Sequence, residues 1–303
     1  MEKVIITGIS GFVGQNLSSY LRRYKHEVIG LSLRNENWQE NLDKSATAII
    51  HLAGKAHDTA NTSADEEYFK VNRDLTIELF EQFINSGIRD FFYFSSVKAV
   101  ADTVNSILTE DSKSNPLTPY GKSKREAEDY ILSKNIPQGK RLFIIRPCMI
   151  HGPGNKGNLN LLYKIVEKGI PWPLASFENQ RSFLSIDNLS FLIYTMLNKP
   201  DLRSGVFNFS DDESLSTNEL VTLIGSVLQK NVKLLNIPKS IINNVVKIGD
   251  VLPLPLNSER LKKLTESYIV SNKKIKQELG LKHLPLSAEA GLKITLKSFN
   301  QAK

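Results

Sequence analysis

At 303 residues, with 41% hydrophobic and 23% charged side chains, the chain is long enough for one large or two modest globular domains with a sizeable core. Its net charge of +7 comes without any run of five Lys or Arg, which argues against a nucleic-acid partner and suits either a solvated surface or an anionic small ligand. The single cysteine, Cys148, excludes an internal disulfide and fits a cytoplasmic protein; no apolar run reaches a membrane-spanning length, and "MEKVIITG" enters a strand with no signal peptide expected before it.

The first element, "KVIIT" (3–7), reads as a buried strand. "GFVGQNLSSYLRRY" (11–24) follows, with Phe12, Val13, Leu17, Tyr20 and Leu21 at helical spacing. Between them, "TGISGFVG" sets Gly8, Gly11 and Gly14 three residues apart. Glycine lets a backbone turn tightly and approach a ligand with no Cβ in the way. The helix N-terminus then offers free N–H groups and partial positive charge to a pyrophosphate. Simple helix packing also uses such glycines; their place between the first strand and the first helix is what points to a dinucleotide.

Further strands are expected at 27–33, 47–54, 90–96 and 141–147, with helices at about 65–87 and 119–134. This alternation implies an α/β fold, a Rossmann-type doubly wound parallel sheet over residues 1–150. About 13 residues separate the second strand from the third. That is too short for a helix, a strand and a second helix, so the usual third strand is expected to be abbreviated or absent. Beyond residue 150 come a helix (159–169), a proline-rich connection (170–182), a helix (187–198) and a strand (205–210). The segment 183–210 is expected to rejoin the sheet. Segments 151–182 and 211–303, mainly helical with a proline-broken stretch at 252–256, are expected to form a smaller substrate-binding domain.

"NPLTPYGKSKREAE" (115–128) carries the second chemical signal. Thr118 is a good N-cap and Pro119 suits the first helical position. Tyr120 and Lys124 then fall at i and i+4 on one face. A phenol titrates near pH ~10 and is a poor acid or base at neutrality. A nearby ammonium is expected to lower that value, so that the phenol can exchange a proton with a substrate oxygen. "YFSSVK" puts Ser95 and Ser96 at a strand end, where α/β sheets expose functional groups.

These motifs, with "HLAG" (51–54), "VNRDLT" (71–76), "RPCMIHGPG" (146–154) and "RSFLSIDNL" (181–189), resemble the ordered signature of the extended short-chain dehydrogenase/reductases, the nucleotide-sugar epimerases, dehydratases and reductases. The resemblance covers about residues 1–210 and implies a catalytic set of Ser96, Tyr120 and Lys124. It also implies an NAD(P) site built from Gly8, Gly11, Phe12, Val13, Gly14, Ser32, Arg34, Leu52, Ala53, Gly54, Asn72, Tyr120, Lys124 and Pro147. For the substrate it implies a UDP-linked sugar held by Ser96, Lys98, Asn158, Arg181 and Arg260, and it implies a homodimer formed through the helices at 65–87 and 119–134. His151 stands where many relatives carry tyrosine and reads as a loop residue near the cofactor. No metal-ligand spacing surrounds His51, His57 or His151, and no metal is expected.

Sugar 4,6-dehydratases of this type carry Asp-Glu after the active serine or threonine; here Val97 and Lys98 stand there. Elimination needs an extra acid and base, so dehydration is not expected. That leaves a 4-ketoreductase or a 4-epimerase acting on a UDP-linked hexose or N-acetylhexosamine. Strand 27–33 carries Ser32 near its end and Arg34 just past it, with no acid before Glu36. An acid there would hold the NAD ribose; an arginine suits the extra phosphate of NADP. Arg34 is either that contact or an exposed loop residue, and the stretch favours NADP(H) and net reduction. A reductase of a non-nucleotide carbonyl compound and a non-catalytic cofactor sensor are the more distant readings.

Overall fold

The computed structural model describes residues 2–55, 64–155, 158–251 and 256–301. In chain order these form β1 (Lys3–Thr7), α1 (Phe12–Arg23), β2 (Glu27–Leu31), β3 (Ala48–His51), α2 (Asp65–Phe69), α3 (Leu75–Ile84), β4 (Asp90–Phe94), α4 (Pro119–Leu132), β5 (Arg141–Pro147), β6 (Met149–His151), α5 (Asn158–Glu167), β7 (Arg181–Ser185), α6 (Ile186–Leu197), β8 (Gly205–Phe209), β9 (Ser214–Leu215), α7 (Thr217–Leu228), α8 (Lys239–Val251), α9 (Ser258–Thr265), α10 (Lys273–Leu279) and α11 (Ala288–Gln301).

Six strands form a Rossmann-like sheet, ordered β2-β1-β3-β4-β5-β8 and parallel throughout. Its strands are apolar on both sides because helices cover both faces. Val4, Ile6, Ile50, Phe92 and Phe143 pack beneath Leu17 and Leu21 of α1 and Leu189 and Ile193 of α6. The alternate residues Ile5, Ile49, Phe91, Tyr93 and Ile144 pack beneath Phe80 and Phe83 of α3 and Ala127 and Ile131 of α4. A third core joins α5, α7, α8, α9 and α11, through Leu162, Trp172, Leu220, Ile242, Leu261 and Leu296. The C-terminal part is mainly helical, with a small sheet of β6, β7 and β9 beside it.

The segment after β2 is as expected, and one helix changes in detail. Among the described residues no strand lies between β2 and β3; a 3-10 turn, Trp38–Asn41, takes that space. Trp38, Leu33 and Leu42 are buried in the core and close the sheet edge there. The helix expected over 65–87 is broken by a π turn at Lys70–Asp74, between α2 and α3. The extra residue in such a turn displaces one side chain from the regular helical face, here at Asn72.

Candidate active site

The glycine loop closes the end of β1. Gly8 has φ +69°, and a Cβ there would lie 2.8 Å from the Ala53 nitrogen. A Cβ on Gly14 would lie 2.3 Å from the Gly8 carbonyl oxygen. Gly11 caps α1 with no side-chain hydrogen bond, so the first-turn N–H groups of the helix keep their bonding capacity for a ligand. This cradle, filled by any Cβ and open at a helix N-terminus, fits the pyrophosphate of a dinucleotide.

A cavity of about 260 Å³ lies beside the loop, lined by Val13, Leu52, Gly54, Lys55, Phe94, Ser95, Ser96, Tyr120, Lys124, Pro147, Cys148 and Ile150. Ser96 lies just past β4, where its hydroxyl accepts from the Lys98 N–H at 3.1 Å. Ser96 and the Tyr120 phenol line the cavity together. The Ser95 hydroxyl, in contrast, is buried with no partner among the described residues. Thr118 caps α4 by accepting from Gly121 N–H at 3.2 Å, which fixes the helix start that carries Tyr120. Lys124, one turn on, is buried and donates to the Phe94 carbonyl at 2.8 Å.

The electrostatics differ from the expectation in one respect. Burial pushes the Tyr120 phenol above its ordinary range, with the Ser96 hydroxyl pulling the other way. Burial also pushes Lys124 down to about 8, opposed by the nearby Glu128 carboxylate. The ammonium is turned to the Phe94 carbonyl, and burial sets the direction at the phenol.

Asn72 is fully buried behind this cavity. Its side chain accepts from Lys55 N–H at 2.8 Å and donates to the Lys55 carbonyl at 3.0 Å and the Ser123 hydroxyl at 3.1 Å. A chain of hydrogen bonds leads from the glycine loop to the Asn72 carbonyl. Ala53 N–H donates to the Thr7 hydroxyl at 3.1 Å, and that hydroxyl meets His51 Nδ1 at 2.7 Å. His51 Nε2 meets the Thr76 hydroxyl at 2.9 Å, which donates to the Asn72 carbonyl at 2.8 Å. Since Thr76 spends its proton on that carbonyl, His51 must donate from Nε2 and accept at Nδ1. The imidazole is neutral, because burial and the Lys124 charge push it down to about 3.

The remaining residues fall elsewhere. Ser32 and Arg34 are exposed just past β2, whose last residue, Leu31, pairs with Thr7 beside the glycine loop. Lys98 lines neither cavity; it donates to the Asp102 carbonyl at 2.7 Å and lies 4.6 Å from the Tyr268 ring centre. Arg181 and Arg260 meet in a second cavity of about 530 Å³, walled by α5, the 170–174 segment, α7 and α9. Burial pushes the Arg181 guanidinium down. Asn158 opens α5, but its side chain, like all of His57, lies outside the described residues. His151 is not in a loop. It is buried in β6 and bonds the Thr295 hydroxyl of α11 at 2.9 Å.

Residues 4–209, which carry the glycine loop and the Ser-Tyr-Lys set, match the model of the NAD dependent epimerase/dehydratase family. The chain belongs to this family. A Vibrio cholerae UDP-glucose 4-epimerase is 30% identical over 324 residues, covering 99% of this chain and 96% of that one. An Escherichia coli O157:H7 N-acetyl-alpha-D-glucosaminyl-diphospho-ditrans,octacis-undecaprenol 4-epimerase is 25% identical over 253 residues, covering 78% and 76%. The fold is shared with RMD from Pseudomonas aeruginosa, solved with NADPH, at a TM-score of 0.77, 19% identity and coverage of 99% and 100%. As a member of the epimerase/dehydratase family the protein is an NAD(P)-dependent enzyme of the extended short-chain dehydrogenase/reductase type, among nucleotide-sugar epimerases and reductases.

Within this family frame, the structure adds residues that the sequence did not announce. Lys55 lines the first cavity, with its backbone held by Asn72. Tyr68 stands edge-on to Tyr120, with ring centres 6.4 Å apart. It comes from α2, and its spacing from the Tyr-Lys motif carries no signal.

Proposed function

We propose that the protein exchanges a hydride and a proton at C4 of a UDP-linked hexose or N-acetylhexosamine, with Ser96, Tyr120 and Lys124 as its catalytic residues. Ser96, Tyr120 and Lys124 line one cavity, where the Ser96 hydroxyl pulls the phenol down against its burial; this convergence carries the reading. Tyr120 gives or takes the proton of the C4 oxygen. Ser96 hydrogen-bonds the same oxygen and keeps the phenol aimed at it. Lys124, anchored on Phe94, favours the phenolate by its charge. Gly8, Gly11, Gly14, Val13, Leu52, Gly54 and Pro147 hold NAD(P), which supplies or accepts the hydride when bound. Val97 and Lys98 provide no acid–base pair for elimination, since Val97 is buried and Lys98 is held by Asp102.

Between the two remaining outcomes we favour reduction of a 4-keto sugar with NADPH. No carboxylate stands at the end of β2 to repel a 2′-phosphate, and the Arg34 guanidinium makes no ion pair among the described residues. Epimerisation is the second reading, supported by the Vibrio relative. Titration with NADPH and NADH tests the choice: Arg34→Asp should reverse a preference for NADPH, and equal or tighter binding of NADH overturns it. Stoichiometric NADPH use on a 4-keto-6-deoxy sugar marks a reductase; interconversion without added cofactor marks an epimerase.

Residues 151–182 and 211–303 are the substrate-binding part in this reading, with Arg181, Arg260 and Lys263 on the diphosphate and with Asn158 and Lys98 nearby. A lipid-linked diphosphate sugar is a second substrate reading. It is favoured by the second cavity, where Thr217 is the sole uncharged polar residue besides the Trp172 indole among the lining side chains. Competition by UDP separates the two carriers. The α3 and α4 helices are the surfaces we assign to a homodimer.

A further inference from the structure

Among the described residues, the twelve exposed large apolar side chains are not spread evenly. Seven of them, Leu161, Ile170, Leu234, Leu235, Ile241, Val245 and Ile248, belong to segments packed around the third core. Ile241, Val245 and Ile248 recur at i, i+4 and i+7 on α8, at 52%, 44% and 53% exposure. That spacing makes a single stripe along one helix face. The adjoining face of α8 already has its partner, because Ile242 and Val246 are buried in the core. Leu234 pairs with Trp172 on the wall of the second cavity, while Leu161 and Ile170 line that cavity and stand half open at its rim.

Charge is concentrated in the same segments. Residues 158–175 and 228–265 contain nine Lys or Arg against three Asp or Glu, an excess of six within a chain whose total is +7. Lys239 and Lys247 sit on α8 itself. An amphipathic helix with an open apolar stripe, set among lysines, has the composition of an interfacial segment that lies on anionic lipid. A protein partner would need no such charge excess, and a second copy of this chain would bring its own excess of positive charge against it.

We propose that the α8 face, with the rim of the second cavity, docks on the surface of a bilayer that carries anionic lipid. Ile241, Val245 and Ile248 enter the headgroup boundary, and the surrounding lysines pair with phosphates. This goes beyond the catalytic reading and holds whichever carrier the diphosphate sugar has.

The full chain is sedimented with vesicles of phosphatidylcholine alone and of phosphatidylcholine with phosphatidylglycerol. Binding to the anionic vesicles, weakened by salt, is expected. The triple variant I241D/V245D/I248D should lower it by roughly tenfold or more, as should K239E/K247E. Both variants replace exposed side chains, so thermal unfolding and turnover of a water-soluble substrate should stay at wild-type values. The proposal is overturned if the wild type ignores anionic vesicles or if the stripe variants bind them as well as wild type does. It is equally overturned if light scattering shows the wild type self-associating through this face and the stripe variants not.

Discussion

Lys124 carries two opposed demands. In the proposed reaction its ammonium favours the Tyr120 phenolate, yet burial holds it at about 8 against an ordinary 10.5. Because the folded state binds that proton less readily than the unfolded chain, stability should rise with pH from about 8 to 10.5. Below pH 8 the burial cost is fully present, about 3 kcal/mol from the shift. Turnover should run the other way, with kcat/KM falling as pH passes about 8. Thermal unfolding of the unliganded protein and a pH–rate profile together check both signs; a limb near 10.5 would remove Lys124 from this role. Tyr120→Phe should lower kcat by roughly 10²–10⁴-fold while cofactor affinity holds in a binding titration. Tyr120 and Lys124 were legible because i,i+4 spacing puts them on one helix face whatever surrounds it. The choice of Ser96 over Ser95 came from resemblance; its physical footing is the pull of the Ser96 hydroxyl on the Tyr120 phenol. The direction at the phenol was not legible, since burial is a property of the packed cavity.

At the scale of elements, the glycine loop and the π turn hold the site from opposite sides. A methyl at Gly14 meets backbone at 2.3 Å and 2.6 Å, whereas one at Gly11 meets a single carbonyl at 3.3 Å. Gly14→Ala should therefore cost roughly tenfold or more in NAD(P) affinity and lower the unfolding temperature. Gly11→Ala should be milder in both, as read by calorimetric titration and thermal melts. Strand positions were legible because a parallel sheet covered on both faces demands continuous apolar runs, as in "VII" (4–6) and "FFYF" (91–94). The π turn was not: "FKVNRDLT" keeps helical apolar spacing across it. What breaks the regular ladder is the three hydrogen bonds of Asn72 to Lys55 and Ser123, both distant in sequence.

At the scale of the molecule, Tyr268 joins the two ends of the site. Its backbone lies beside Arg181, with the Ser182 N–H donating to the Tyr268 carbonyl at 2.9 Å. Its hydroxyl donates to the Ala101 carbonyl at 2.7 Å, just past the turn that carries Ser96. These contacts tie the backbone beside Arg181 to the turn that follows Ser96. Tyr268→Phe should reduce kcat several-fold with a smaller change in KM, and cost about 1 kcal/mol of stability; steady-state kinetics and denaturant unfolding read the two effects. No spacing between residues 96 and 268 foretells this link. The strand at 205–209 has a consequence for synthesis. β5 is complete at Pro147, but the strand that covers its outer edge ends only at Phe209. Until that segment leaves the ribosome, "RLFIIRP" presents an unpaired apolar edge, the kind of surface on which nascent chains pair with one another. The cofactor sheet is therefore finished late in translation, and a pause before residue 209 would expose this edge for longest.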